Sequence, residues 1–200
     1  LVGSEMCIRD RYIKATGVVR RIDDLGRVVI PKEIRKTLRI KEGDPLEIFT
    51  DREGQVILKK YSPIGELSEF AIGYAETLSK TTGHIACITD KDTIIAVSGG
   101  SKKEFLEQDV SQELEQLMED KEVYTSKDNK DMSMPITKND NGQRQYNSQV
   151  VYPIISNGDT IGSVILMSKD ANVKMTDVEK KVAQSAATFL GCLLYTSPSP

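Results

Sequence analysis

The sequence is poor in the residues that most often carry catalysis and bind metals. Its 200 residues include one histidine, three cysteines and no tryptophan. No pair of nucleophile and base is evident and no Gly-x-Ser-x-Gly motif occurs, so the sequence offers no hydrolase-type site. Asp90 and Asp92 flank a turn, where aspartate is ordinary, and a metal site would need a denser cluster. We therefore predict no enzyme activity, no metal site and no cofactor.

Long apolar runs are absent as well. No stretch approaches the roughly 20 apolar residues that a membrane-spanning helix requires, and no charged start followed by an apolar segment marks a secretory signal. The composition, 38% hydrophobic and 28% charged, is typical of a globular chain. Together with the small number of cysteines, these features predict a cytoplasmic protein without a membrane partner.

The two ends do not continue the patterns beside them. Residues 1–11 and 192–200 both resemble translated sequencing-adapter read-through, so we expect the genuine chain to run from about residue 12 to 191. Cys87 is then the one cysteine that remains. It alternates with apolar neighbours, which favours a buried core position over a redox sensor.

The net charge of −3 hides an asymmetry between two parts of the chain. Residues 14–61 hold 12 Lys and Arg against 8 Asp and Glu, a net charge of +4. Residues 62–191 hold 13 against 20, a net charge of −7. The basic part can meet nucleic acid, whereas the acidic part would be repelled by it.

The basic part is organised around residues 17–38. Two β-branched runs, predicted as strands over 17–22 and 27–30, flank a turn at 23–26, and Pro31 then precedes a short predicted helix over 32–38. A second hairpin is predicted around a turn at 51–54. Five basic residues fringe the first turn and the helix: Arg20, Arg21, Arg27, Arg35 and Lys36. A solvated basic hairpin and a phosphate-binding surface both fit this pattern. Because fewer than about 50 residues rarely fill a core alone, the module is expected to dimerise.

Residues 14–61 resemble the AbrB-type DNA-binding domain of bacterial transition-state regulators. The similarity includes KATGVVRRIDDLGRVVIPKEIRKTLRIKEGDPLEIF and the closing VILKKY, and residues 12–191 as a whole resemble the SpoVT-like family. The resemblance implies an all-β barrel with a short helix, formed by a swapped-hairpin dimer. It also implies that the five basic residues contact double-stranded DNA. The family often has arginine where Lys36 stands, and lysine lacks the bidentate fork, which favours a phosphate contact there over a base contact.

The acidic part reads as an α+β domain. A linker is predicted at 62–65, an amphipathic helix at 66–80, strand pairs at 84–98 and 149–168, a polar and mobile segment at 119–145, and a C-terminal helix opened by a capping box at Thr176. Gly-Gly-Ser-Lys-Lys at 99–103 lacks the spacing of a phosphate-binding loop and predicts a turn into a helix. This part resembles the GAF-like domain of the same family over residues 66–191, which implies assembly into a homotetramer or binding of an unidentified small molecule.

Three functions follow from these observations. The first is a DNA-binding transcriptional regulator of the sporulation type, which the resemblance places in a developing spore. The second is a small-molecule-binding or scaffold protein in which the basic module, residues 12–61, only dimerises. The third is a degenerate enzyme of a signalling-domain kind.

The single histidine, His84, is expected to be a surface residue at a strand start rather than a switch.

Overall fold

Two compact units make up the described chain, and they divide between Lys60 and Tyr61. The computed structural model describes residues 16–126, 133–140 and 146–196, except for the side chains of 65, 66 and 194–196. Residues 1–11 and 197–200, which we interpret from the sequence as adapter read-through, lie outside these ranges. No helix within the described ranges is long and apolar enough to cross a bilayer.

The described residues of the first unit form one short helix and one hairpin, both as predicted. Helix α1 spans Lys32–Thr37, directly after Pro31. Strands β1, Leu46–Thr50, and β2, Val56–Lys60, pair antiparallel. The ladder places Leu46 opposite Lys60 and Thr50 opposite Val56, so the turn at 51–55 connects the two strands directly.

The strands predicted at 17–22 and 27–30 are not strands in the single chain. The turn between them does form, but the segments on either side have no ladder partner among the described residues. Val19 and Val29 are 86% and 70% exposed. A β-branched run becomes a strand only when a neighbouring strand takes its backbone hydrogen bonds and covers its side chains. The described residues of one chain do not supply that neighbour.

The second unit is built on a five-stranded antiparallel sheet. The turn between the two longest strands is formed by Asn157 and Gly158, with φ of 53° and 86°. Two consecutive positive φ angles match the twist of a tight hairpin, which is why this dipeptide predicts one. The strands are β3, Ile85–Asp90; β4, Ile94–Ser98; β5, Tyr124–Thr125; β6, Ser148–Ser156; and β7, Asp159–Ser168. Their order in the sheet is β4-β3-β7-β6-β5.

Helices cover both faces of this sheet, which confirms the predicted α+β domain. The helices are α2, Ser68–Thr82; α3, Lys102–Phe105; α4, Gln112–Glu119; and α5, Asp177–Thr196. One cluster of buried apolar residues joins the sheet to α2 and α5, and a second lies on the opposite face with α3 and α4. The turn after Gly99 does lead into a helix, as predicted.

The capping box predicted at the start of α5 is present. The backbone N–H of Thr176 donates to Glu179 Oε2 at 2.7 Å, and the Thr176 hydroxyl donates to the same oxygen. The Thr176 Oγ1 atom in turn accepts from the Val178 N–H at 3.2 Å. These bonds satisfy donors that a helix N-terminus leaves without a partner. The helix continues to Thr196, five residues past the end expected at residue 191.

Helix α5 buries only part of its apolar surface. The sequence pattern places Val178, Val182, Ala186 and Phe189 on one face of this helix. In the structure Ala186 is buried, whereas Val178 is 65% and Phe189 45% exposed. The helix carries two apolar stripes, and the sheet takes the one with the smaller side chains. The fully or nearly fully buried residues of that stripe are Ala183, Ala186, Ala187 and Leu190.

Two segments expected to be loose are packed onto the second unit. Residues 62–65, predicted as a linker, enter a 3-10 turn at Pro63–Leu67, where Ile64 is fully buried. The prediction of a mobile segment at 119–145 is wrong for 133–140, since Ile136 is fully buried. Gln149 holds this segment, because its amide accepts from the Met134 N–H at 2.9 Å and donates to the Met134 carbonyl at 3.0 Å. Residues 127–132 and 141–145 lie outside the described ranges.

Candidate nucleic-acid interface

One carboxylate holds the first turn together. The Asp23 Oδ1 atom accepts hydrogen bonds from the backbone N–H groups of Leu25, at 3.0 Å, and Arg27, at 2.7 Å. Its Oδ2 atom accepts from Arg27 Nε at 2.8 Å. Backbone bonds of 3.0 Å run from the Asp23 N–H to the Arg27 carbonyl and from the Gly26 N–H to the Asp23 carbonyl. The backbone N–H and the guanidinium of Arg27 lower the pKa of Asp23, so the carboxylate is ionised at neutral pH.

The second turn of the same unit repeats this backbone arrangement. The Asp51 Oδ1 atom accepts from the N–H groups of Glu53, at 3.0 Å, and Gln55, at 2.8 Å. The Asp51 N–H donates to the Gln55 carbonyl at 3.1 Å, and the Gly54 N–H donates to the Asp51 carbonyl at 3.4 Å. The glycines of the two turns have φ of 77° and 83°, which glycine adopts without steric cost. The two turns are therefore the same local structure.

Three of the five basic residues lie beside the first turn. Arg20 and Arg21 precede it, and both are exposed. Arg27 closes the turn, and its side chain is 68% exposed although it pairs with Asp23. The turn thus presents three arginines to solvent, one of them held by a carboxylate.

The other two basic residues lie in α1 and differ in their surroundings. Lys36 is exposed and Arg35 is half-buried. The Arg35 Nε atom is shielded from solvent and has no hydrogen-bond partner among the described residues. Neighbouring residues of a helix point about 100° apart, so α1 does not place these two side chains on one face. The five basic residues therefore form two sets, one at the turn and one in α1.

Several polar groups buried in the second unit pair with one another, although the hydroxyls of Thr125, Ser148 and Thr160 have no hydrogen-bond partner among the described residues. The hydroxyls of Thr89 and Ser163 lie 2.8 Å apart between β3 and β7, and both residues are fully buried. Ser126 Oγ accepts from the Gln149 N–H at 2.7 Å. Cys87 is fully buried, as predicted, and burial raises the pKa of its thiol. Such a thiol has little thiolate character and is unsuited to redox sensing. Within the described residues no group of His, Cys, Asp and Glu is placed to hold a metal ion.

The single histidine is not a surface residue, so that prediction is wrong. The His84 side chain is only 11% exposed, and its Nε2 atom lies 3.8 Å from Glu179 Oε1 at the start of α5. Glu179 therefore has two contacts: it belongs to the capping box of α5, and it lies beside His84, the residue that directly precedes β3. The sequence could not reveal this contact, because it joins two distant parts of the chain.

Three aromatic side chains meet on the outer side of α2 and α5. The ring centroids of Phe70 and Tyr74 lie 5.7 Å apart, those of Tyr74 and Phe189 also 5.7 Å, and those of Phe70 and Phe189 6.1 Å. Phe70 and Phe189 are 41% and 45% exposed. Large apolar side chains that cluster at a surface commonly mark a contact with another protein chain.

Two family models match the chain, one for each unit. The model described as stage V sporulation protein T C-terminal, transcription factor, matches residues 66–194. The model described as antidote-toxin recognition MazE, bacterial antitoxin, matches residues 19–66. The first match alone covers more than half of the chain.

Relatives and solved structures agree with this division. Stage V sporulation protein T of Bacillus subtilis is 54% identical over 179 residues, 89% of this chain and 97% of that protein. Transition state regulatory protein AbrB of Bacillus subtilis is 60% identical over 52 residues, 26% of this chain and 53% of that protein. The GAF domain of an Acinetobacter phosphoenolpyruvate-protein phosphotransferase matches with a TM-score of 0.53 and 10% identity, over 64% of this chain and 81% of that one. The last match supports a shared fold and nothing further.

Proposed function

The chain belongs to the stage V sporulation protein T family, and we infer from this membership that it is a DNA-binding regulator of transcription. Its first unit is the AbrB-like part and its second has the GAF fold. Binding to double-stranded DNA needs cations at a surface that the phosphates can reach. The first unit carries them, since residues 14–61 have a net charge of +4 while residues 62–191 have −7.

The five basic residues are our proposal for the DNA contacts. Arg20, Arg21, Arg27 and Lys36 are exposed, which supports direct contact with phosphates or base edges. Arg35 is half-buried and its Nε atom lacks a partner, so a ligand or a second chain could take the hydrogen bond that the described residues leave unmade. Lys36 carries a point charge without a bidentate fork, and we assign it to a phosphate.

The first unit works as a dimer in this proposal. The segments at 17–22 and 27–30 expose β-branched side chains and leave their backbone without a ladder partner within the described residues. A second copy that inserts the same segments would supply both the hydrogen bonds and the apolar cover. Strand exchange of this kind completes an all-β barrel, and two-fold symmetry doubles the five basic residues.

The second unit joins two such dimers into a homotetramer in our proposal. The aromatic cluster of Phe70, Tyr74 and Phe189 supports this assembly, because it leaves apolar rings at the surface of α2 and α5. Contact between identical clusters would be isologous, as in most closed oligomers. A bound small molecule is the alternative role for this unit. Native mass spectrometry of protein purified from its host would detect a retained ligand as a mass above that of the protein chains.

We further propose that the protein acts by binding and not by catalysis, in the cytoplasm where bacterial DNA lies. The family name supports a role in sporulation, and we place the protein in the developing spore. If the basic unit serves only to dimerise, the protein is instead a scaffold or small-molecule receptor, and duplex DNA will not bind in a salt-sensitive way.

The experiment that tests DNA binding compares arginines of equal charge in the same unit. We expect Arg20→Ala and Arg35→Ala to weaken binding to a pool of random 30-base-pair duplexes by about tenfold each, measured by fluorescence anisotropy. Arg52 is the matched control, because it is an exposed arginine that lies in the second turn. If Arg52→Ala weakens binding as much as the other two variants, affinity reflects the net charge alone and the proposed contacts are wrong.

A further inference from the structure

The two turns of the first unit differ in one respect, although their backbones match. In the second turn the side chain at the fifth position, Gln55, bonds to Glu53 Oε2 at 3.3 Å. In the first turn the side chain at the fifth position, Arg27, bonds to the aspartate itself, through Nε and Oδ2 at 2.8 Å. The turn at 51–55 forms without any such bond. The bond between Asp23 and Arg27 is therefore not required to make the turn.

The bond does constrain the guanidinium of Arg27. The Asp23 Oδ1 atom is already fixed by the N–H groups of Leu25 and Arg27, so the carboxylate cannot rotate freely. The bond from Nε to Oδ2 orients the guanidinium, and the terminal nitrogens Nη1 and Nη2 remain as donors. Neither terminal nitrogen has a partner among the described residues. Two parallel N–H donors at the end of an arginine match the O6 and N7 acceptors of guanine.

The net charge of the pair formed by Asp23 and Arg27 also favours contact with a base. Asp23 is ionised and lies against Arg27, so the two side chains together carry no net charge. A neutral pair releases few counterions from a phosphate, and the carboxylate itself repels phosphate oxygens. A base edge in the major groove presents hydrogen-bond acceptors without a formal charge. The pair is thus better suited to a base edge than to the sugar-phosphate backbone.

We propose that Asp23 is a positioning residue for DNA recognition, which holds Arg27 so that its two terminal nitrogens read a base and which discourages phosphate contact at that position. This inference rests on the DNA-binding function proposed above. Its consequence is that Asp23 increases sequence discrimination while it lowers affinity for DNA in general. A residue that merely shaped the turn would not raise sequence discrimination while it lowered affinity for DNA in general.

The test measures discrimination and affinity separately. Selection from a random 30-base-pair pool with the wild-type protein yields a preferred duplex, and a duplex of the same composition in shuffled order serves as reference. Dissociation constants for both duplexes give the discrimination ratio. Asp23→Asn keeps the Oδ1 acceptor of the turn but removes the charge that holds Arg27. We expect this variant to bind the shuffled duplex more tightly than the wild type and to lose about tenfold in the discrimination ratio.

Two controls separate positioning from turn formation. Asp51→Asn makes the same change in the matching turn, and we expect it to leave the ratio unchanged. In an Arg27→Ala background, Asp23→Asn should no longer lower the ratio, because the residue it positions is gone. An Asp23→Asn protein that keeps the wild-type ratio, or an Asp51→Asn protein that loses as much, would overturn the inference. A wild-type protein that binds no duplex would instead overturn the proposed function, and the role of Asp23 with it.

Discussion

Gly162 in β7 lies directly against the backbone carbonyl of Thr89 in β3. A Cβ atom at position 162 would overlap the Thr89 carbonyl oxygen, which is backbone and cannot swing away. We therefore expect Gly162→Ala to lower the free energy of unfolding of the second unit by about 1–3 kcal/mol, as overpacking does. The measurement is urea denaturation followed by circular dichroism.

Gly73 provides the matched control for that substitution. It lies in α2, is exposed, and has no atom within 4 Å of the position a Cβ would take. Alanine there should raise the free energy of unfolding by about 0.4–1 kcal/mol, since it favours the helix and restricts the unfolded chain. If both alanine variants are destabilised alike, the close approach of β3 and β7 is not what excludes a side chain at Gly162.

The capping box of α5 gives the second unit a pH dependence of defined sign. Burial opposes ionisation of Glu179, but hydrogen bonds from Thr176 and the nearby His84 hold its pKa below its usual value. A lowered pKa in the folded state contributes stability above the unfolded value of 4.5, and this contribution is lost as pH falls through the folded pKa. We expect the melting temperature to fall as pH is lowered below about 4.5, and Glu179→Gln to reduce that dependence. Glu76→Gln, which removes an exposed carboxylate from α2, should leave it intact.

If the first unit dimerises, a charge at Val29 should break the dimer, although this side chain is exposed in a single chain. Val29 is 70% exposed, so a charge there would be harmless if the protein were a monomer. If a second copy covers it, Val29→Glu buries an unpaired carboxylate and breaks the dimer of this unit. Analytical ultracentrifugation of wild type and variant at micromolar concentration distinguishes the two cases. A variant that sediments like the wild type would argue against strand exchange.

If the second unit assembles through the aromatic cluster, a charge in that cluster should break the tetramer and leave the dimer of the first unit intact. Phe70→Glu places a charge among the exposed rings of α2 and α5, and we expect it to convert a tetramer into a dimer without unfolding the protein. Val123→Glu is the control, because Val123 is 38% exposed, lies directly before β5 and is not part of either helix. Light scattering after gel filtration reports the molar mass. Equal masses for wild type and the Phe70 variant would rule out this surface as the interface.

The sequence predicts best those elements whose signals are local. Asn157 and Gly158 specify their hairpin through backbone angles alone, and Thr176 with Glu179 specifies the start of α5 through bonds within one helical turn. The α+β order and the hairpin around residues 51–55 follow in the same way. The five basic residues could be chosen by charge and resemblance, and their division between the turn and α1 follows from the sequence, but the half-burial of Arg35 and the bond from Arg27 to Asp23 required the structure.

Other features depend on partners that a linear pattern does not show. The segments at 17–22 and 27–30, predicted as strands, find no neighbouring strand among the described residues. The buried face of α5 could not be chosen from two apolar stripes, since the sheet decides which stripe it accepts. His84 is covered by Glu179, a contact between segments far apart in sequence. The bond between Asp23 and Arg27 has a sequence signal, aspartate four residues before arginine across a glycine turn, but Asp51 and Gln55 share that frame without the bond.

The salt dependence of DNA binding tests the central claim most directly. A dimer presents ten of the proposed basic residues, and each phosphate neutralised contributes about −0.9 to the slope of log affinity against log salt. If four of the ten neutralise phosphates, the slope is about −3.6, and we expect Arg20→Ala to make it shallower while Arg52→Ala does not. Binding to duplex DNA that is absent, or that is unchanged between about 50 and 200 mM salt, would contradict the account.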